Sequence, residues 1–248
     1  MRALRDIIAS PYARHVVAKY TAAGTYTLSL APGKYHVVVV GAGSGAATAG
    51  WKTGTSGTSL TGRFGYSTGS GGCVVYGELS VLSSGSASIM VGAGGAGTEE
   101  TGISDEAPAS GTRVAVASAG ANTSFSFESS VSVESGGGGV GVTLPRVAFS
   151  TSQGMVATVG QGGSFVNIAA GFQYSDGQSG TISVAEITEI ADGTAQLVDG
   201  GLAGTVGFPS ELGVAGKGGD VVYGYANGVL TFYANNGQDG GVLVERIG

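Results

Sequence analysis

The sharpest chemical pattern in this 248-residue chain is Val37-Val38-Val39-Val40-Gly41-Ala42-Gly43-Ser44-Gly45-Ala46, a G-x-G-x-x-A segment directly after an apolar run. Such a segment binds a dinucleotide when a helix starts at the glycines and aims its first amides at a pyrophosphate. Here Ala47 to Gly54 contains two more glycines and no amphipathic period, so no helix is expected. The first acidic residue after Gly41 is Glu78, well past the ~20 positions at which a ribose-binding carboxylate belongs. The two histidines, His15 and His36, lie in strand-like runs, and no G-x-S-x-G or H-E-x-x-H accompanies them. Cys73 reads as a small apolar core residue rather than a nucleophile. Glu99, Glu100, Asp105 and Glu106 form an acidic loop without the alternating Asp/Asn ligands of a calcium site. No catalytic residue, cofactor or metal is expected, and the chain does not read as an enzyme.

Aromatic side chains are the other residues that could do chemistry. Trp51, Phe64 and Tyr66 are the only aromatic side chains between Gly41 and Gly72, and Phe172 and Tyr174 lie in the loop-like stretch Gly171 to Gly177. Isolated aromatics among small residues make stacking platforms for sugars or protein loops, since they offer contact area at low entropic cost. The alternative is that they cap packed segments from the inside. Trp51, Tyr66, Phe172 and Tyr174 are taken as the candidate receptor-contacting set.

The elements that would hold these residues are β-strands and glycine tracts. Gly contributes 49 residues, about a fifth of the chain against an ordinary ~7%, and the charged fraction is 11%. The formal charge is -6 with no basic run, which argues against nucleic acid. A hydrophobic share of 42% argues for a folded chain. With no unbroken apolar stretch near ~18 residues and an N-terminus interrupted by Arg2, Arg5 and Asp6, neither a membrane helix nor a signal peptide is expected. Leu4, Ile7 and Ile8 at helical spacing before Pro11 predict one or two helical turns in a short N-terminal arm, residues 1–19. Residues 20–248 then read as one all-β domain. Val16 to Tyr20, Thr25 to Leu30 and Tyr35 to Val40 are strands; Val37 to Val40 is apolar on both faces, which makes that strand central.

Further strands are expected at Cys73–Leu82, Ser86–Val91, Arg113–Ser118, Asn122–Val133, Met155–Val159, Phe165–Ala169, Thr181–Ile187, Val221–Tyr225, Val229–Tyr233 and Val242–Ile247. Glycine tracts separate most of them. These are flexible loops, or extended polyglycine-II-like helices stable only when packed side by side, where Gly permits close approach. Strands bracketing each tract favour the packed reading.

Tyr20-Thr21-Ala22-Ala23-Gly24-Thr25-Tyr26-Thr27-Leu28-Ser29-Leu30-Ala31-Pro32-Gly33-Lys34-Tyr35-His36, running through Val37–Val40 into Gly41-Ala42-Gly43, resembles the opening of glycine-rich domains of bacteriophage tail fibres. Gly71-Gly72-Cys73-Val74-Val75-Tyr76, Val91-Gly92-Ala93-Gly94-Gly95 and Gly237-Gln238-Asp239-Gly240-Gly241-Val242 resemble that family's later glycine-entry and closing segments. Val140–Gly160 and Thr181–Val206 depart from it in being richer in Val and Thr than in Gly. The resemblance implies a virion tail-fibre or tail-tip structural protein, an adhesin displaying loops to a host cell-surface receptor, either a glycan or an outer-membrane protein. It also implies attachment to other tail proteins, a homotrimer and no catalytic residues. A tail or capsid decoration protein without receptor binding is the alternative.

Overall fold

The computed structural model describes residues 14–56, 59–99, 114–139, 143–145, 160–191, 193–226 and 229–247. The helical turns expected before Pro11, the strand expected at Met155–Val159 and residues 100–106 of the acidic loop lie outside them. The fold is all-β. Its strands are β1 (Arg14–Tyr20), β2 (Gly24–Leu30), β3 (Gly33–Val40), β4 (Ala47–Ser56), β5 (Ser59–Ser67), β6 (Val74–Val81), β7 (Gly85–Val91), β8 (Thr98–Glu99), β9 (Val114–Val116) and β10 (Thr123–Phe127). They continue with β11 (Val131–Ser135), β12 (Thr143–Pro145), β13 (Phe165–Asn167), β14 (Phe172–Ser175), β15 (Ile182–Ala191), β16 (Thr194–Val198), β17 (Val221–Ala226), β18 (Val229–Ala234) and β19 (Gly241–Ile247). Among the described residues the one helical element is a 3-10 turn, Ser210–Leu212.

Two five-stranded antiparallel sheets, ordered β1-β19-β3-β6-β14 and β13-β11-β10-β7-β2, form a sandwich. Strand β3 is central in the first, as its two apolar faces require. Val37 and Val39 point into the sandwich with Leu30, Val75, Ile89, Phe125, Val133 and Val244. Val38 and Val40 point outward, under Ala203, Leu212 and Ala215. Strand β1 pairs with β19 from Arg14↔Ile247 to Tyr20↔Val242, so residues 14–19 of the N-terminal arm belong to the sheet. Asn122–Val133, which reads as one run, is the hairpin β10–β11.

Between strands the chain passes through tracts 41–46, 68–73, 92–97, 117–122, 136–139, 160–164, 176–181, 199–204, 216–220 and 235–240. Their backbone amides bond across to other tracts. From Gly41 to Ala46, successive N–H groups donate to the carbonyls of Cys73, Ala121, Gln238, Ser70, Ser118 and Asn235, each at 2.9–3.1 Å. Tracts 68–73, 117–122 and 235–240 thus each accept in turn and then again, a period of three residues, as an extended three-residue-per-turn helix without internal bonds requires. Tract 41–46 also accepts from Gly95, Gly138 and Gly219, so neighbours flank it on six sides. Tract 68–73 is surrounded in the same way by 41–46, 136–139, 160–164, 176–181, 199–204 and 216–220. The other eight tracts form a ring in chain order, closed where Gly237 and Gly240 of the last donate to Gly95 and Gly92 of the first.

The tract sequences follow from this packing. A Cβ on Gly41 would overlap the Gly136 carbonyl oxygen, and one on Gly94 that of Gly237. Non-glycine residues such as Ala93, Ala96, Ala119, Gln161, Ser179 and Leu202 instead face solvent. Where no carbonyl stands opposite an amide, a side chain supplies the acceptor: Asp239 Oδ1 for Gly94, Asn236 Oδ1 for Gly97, Asp220 Oδ1 for Gly200 and Thr68 Oγ1 for Thr181, at 2.7–2.9 Å. These bonds keep the backbone polar groups inside the bundle paired.

Candidate functional site

Successive tracts run in alternate directions, which sorts the connections between them to two ends. The sandwich takes one end. At the other stand β4–β5, β8, β9, β12, β15, β16, β17 and β18. The first of these, β4–β5, joins the two central tracts and therefore sits at the middle of that end. Strand β15 pairs with β5, and β8 pairs in parallel with β4, so neighbouring connections lean on the central hairpin. Strands β16-β17-β18 form a separate antiparallel sheet beside them. The β4–β5 hairpin was not legible because Ala47–Ser67 is dominated by Gly, Ser, Thr and Ala, with Trp51, Leu60, Phe64 and Tyr66 too sparse to make an apolar run; its two flanking tracts fix its ends.

The four candidate aromatics are divided between the ends. Trp51 lies in β4, opposite Arg63 in the hairpin register. Tyr66, in β5, is buried and stacks on Tyr223 with ring centroids 6.2 Å apart, packing with Ala46, Val221 and Ala234. It anchors the end away from the sandwich rather than facing outward. Phe172 and Tyr174 belong to β14 at the sandwich end, where a loop was expected. Phe172 is buried over Gly77, whose bare Cα makes room for the ring; a Cβ there would lie 2.6 Å from Phe172 Cγ. Tyr174 is 45% exposed and meets Phe165 with centroids 4.3 Å apart, closing the open side of the sandwich between β13 and β14. No single surface contains all four. Tyr233 and Leu197, absent from the sequence-derived set, are exposed at the end away from the sandwich, and both oppose Val222 across the β16-β17-β18 sheet. Their outward side is legible only once strand parity is known.

The remaining chemistry-bearing residues have structural roles. The Gly41–Ala46 amides are all engaged by neighbouring carbonyls, which leaves no free amide cluster for a pyrophosphate. His36 is buried, with Arg14 Nη1 at 2.9 Å and Glu245 Oε2 at 3.2 Å from its Nδ1. The Nδ1 thus faces a guanidinium donor and a carboxylate acceptor at once. Burial first, and the Arg14 charge second, hold the His36 pKa below its ordinary value against the pull of Glu245. The cluster ties β1, β3 and β19 together. Cys73 is buried and its thiol is pushed up to about 11, chiefly by desolvation, so it carries almost no thiolate at neutral pH. Ser135 Oγ beside it donates to the Cys73 carbonyl at 2.6 Å and accepts from the Gly41 amide at 3.0 Å. Among the described residues, no group of three or more His, Cys, Asp or Glu could hold a metal ion, and no helix is long and apolar enough to cross a membrane.

Compared with protein-family models, curated proteins and solved structures, the chain shows no match.

Proposed function

We propose that this chain is a phage tail-fibre or tail-tip protein whose polyglycine-II-type bundle is a stiff pedestal for host-receptor recognition. The observation that carries this reading is the sorting of β4, β5, β8, β9, β12 and β15 to β18 to one end of a hydrogen-bonded bundle, opposite the sandwich. Amides bonded along three directions fix the bundle laterally, and the β-sandwich seals its other end. Connections mounted this way tolerate sequence change, because the tracts and not the connections hold the fold. The chain binds without turnover, and its partners are a cell-surface glycan or outer-membrane protein at the display end and tail proteins at the sandwich end. The ring of tracts closes within one chain, so a homotrimer is not needed to complete the bundle.

The test is saturable binding of labelled intact chain to bacterial cells, competed by unlabelled chain. Replacing residues 50–64 by a short Gly-Ser turn should abolish binding and keep the thermal midpoint within a few degrees. Absence of binding to any host panel, or binding that survives exchange of each connection at that end, contradicts the reading and leaves a particle-stabilising role.

A further inference from the structure

Asparagine followed by glycine is the peptide junction most prone to spontaneous chemistry, because glycine leaves its own amide nitrogen unhindered and the backbone free to bring it onto the asparagine side chain. The chain holds two such junctions, Asn227-Gly228 and Asn236-Gly237. The first lies outside the described residues; the second lies in tract 235–240. There both reacting groups are engaged. The Gly237 amide donates to the Gly95 carbonyl at 2.8 Å, and Asn236 Oδ1 accepts from the Gly97 amide at 2.9 Å. On its other side the tract is held by the carbonyls of Asn235 and Gln238, which accept from Ala46 and Gly43 of the central tract at 3.0 and 2.9 Å. A Cβ on Gly237 would overlap the Gly43 carbonyl oxygen, so the main chain here has no room for an added carbon.

One turn further along, Asp239 repeats the arrangement. Its Oδ1 accepts from the Gly94 amide at 2.9 Å, while the Gly240 amide donates to the Gly92 carbonyl at 2.9 Å. A carboxylate thus fills at 239 the place that an amide fills at 236, and an aspartate at 236 would keep the bond to Gly97. An isoaspartate would not, because it routes the main chain through the side-chain carbon and lengthens it by one methylene. That change would move Gly237 and Gly240 off the Gly95 and Gly92 carbonyls and press them against neighbouring backbone that admits no Cβ.

We propose that Asn236-Gly237 is a modification site gated by the bundle, closed while tract 235–240 is packed and reactive once the tract opens. The Gly237 nitrogen gives its proton to a solvent base and attacks Asn236 Cγ; the new C–N bond forms, the bond from Cγ to the side-chain nitrogen breaks, and ammonia leaves with a proton from water. Water then opens the succinimide at one carbonyl to give aspartate or at the other to give isoaspartate. Ring closure requires the Gly237 N–H to leave Gly95 and the Asn236 side chain to leave Gly97, so it waits on opening of the tract. A chain converted to isoaspartate while open does not repack, which makes unfolding progressively irreversible. To test this, the intact chain is incubated at mildly alkaline pH, folded in buffer or unfolded in urea, and conversion is followed by peptide mapping and mass spectrometry, with residues 227 and 236 scored separately. Conversion at Asn236 should be slower in the folded chain by about a hundredfold or more, as for a reaction limited by opening of a packed segment. After removal of urea, the refolded fraction should carry aspartate at 236 and be depleted of isoaspartate, and Asn236→Asp should fold with a midpoint within a few degrees of the parent chain. Comparable rates in the folded and unfolded chains overturn the gating. Isoaspartate carried undiminished into the refolded fraction, or an Asn236→Asp chain that fails to fold, overturns the distinction between the two products.

Discussion

A glycine in this chain is judged by what a methyl group would strike. Gly94 and Gly138 face the Gly237 and Ser70 carbonyl oxygens, whereas Ala93, one residue from Gly94, faces solvent. Overpacking ordinarily costs about 1–3 kcal/mol through side-chain shifts, and here only backbone can yield. Gly94→Val and Gly138→Val should each cost about 3 kcal/mol or more, a midpoint drop of roughly 6–12 °C for a chain of this size. Ala93→Ser should stay within about 0.5 kcal/mol. Calorimetry of the three variants checks both halves, and equal midpoints would remove the close-approach account.

His36 gives a pH dependence at the same scale. Its folded pKa is lowered, so between that value and the unfolded ~6.5 the unfolded chain binds more protons. The stability it contributes is complete above the unfolded value and declines as pH falls toward the folded one. Arg14, Glu245 and, across the β3–β6 register, Glu78 are the charged groups around it. The thermal midpoint should fall between pH 7 and 5, and His36→Gln should flatten that slope. An unchanged slope in the variant assigns the dependence elsewhere.

Among elements, legibility tracks side-chain pattern. Strands β2, β3, β7 and β19 carry β-branched or aromatic runs, and the two-faced apolar Val37–Val40 correctly marks β3 as central. Strands β4, β5 and β16 do not, because their pairing is dictated by where the tracts deliver the chain. The stretch Phe172–Ser175 looks like a loop from its flanking Gly171 and Gly177, yet Phe172 is a core residue because Gly77 opposite leaves space for its ring. Tertiary context overrides local composition there. Phe172→Ala should therefore cost about 3–5 kcal/mol by opening the sandwich core. Tyr174→Ala, losing a half-exposed ring and its Phe165 contact, should cost no more than about 1–2 kcal/mol. Urea unfolding of the two variants separates them; comparable losses would place both rings in one environment.

At the scale of the whole molecule, the glycine tracts form an interior, with 41–46 and 68–73 at its two centres and eight tracts around them. The G-x-G-x-x-A pattern, read alone, points toward a nucleotide; within the bundle the same amides are the inner hydrogen bonds of the structure. No window of sequence contains that information, because each bond joins residues tens of positions apart. Native-state hydrogen exchange distinguishes a packed interior from loops in the two central tracts. The amides of Gly43, Gly45, Gly71 and Gly72 should exchange as slowly as Val38 and Val39 of β3, through global unfolding. Exchange of these glycine amides at rates close to those of an unstructured peptide, while β3 stays protected, would show the tracts to be loops and contradict the account.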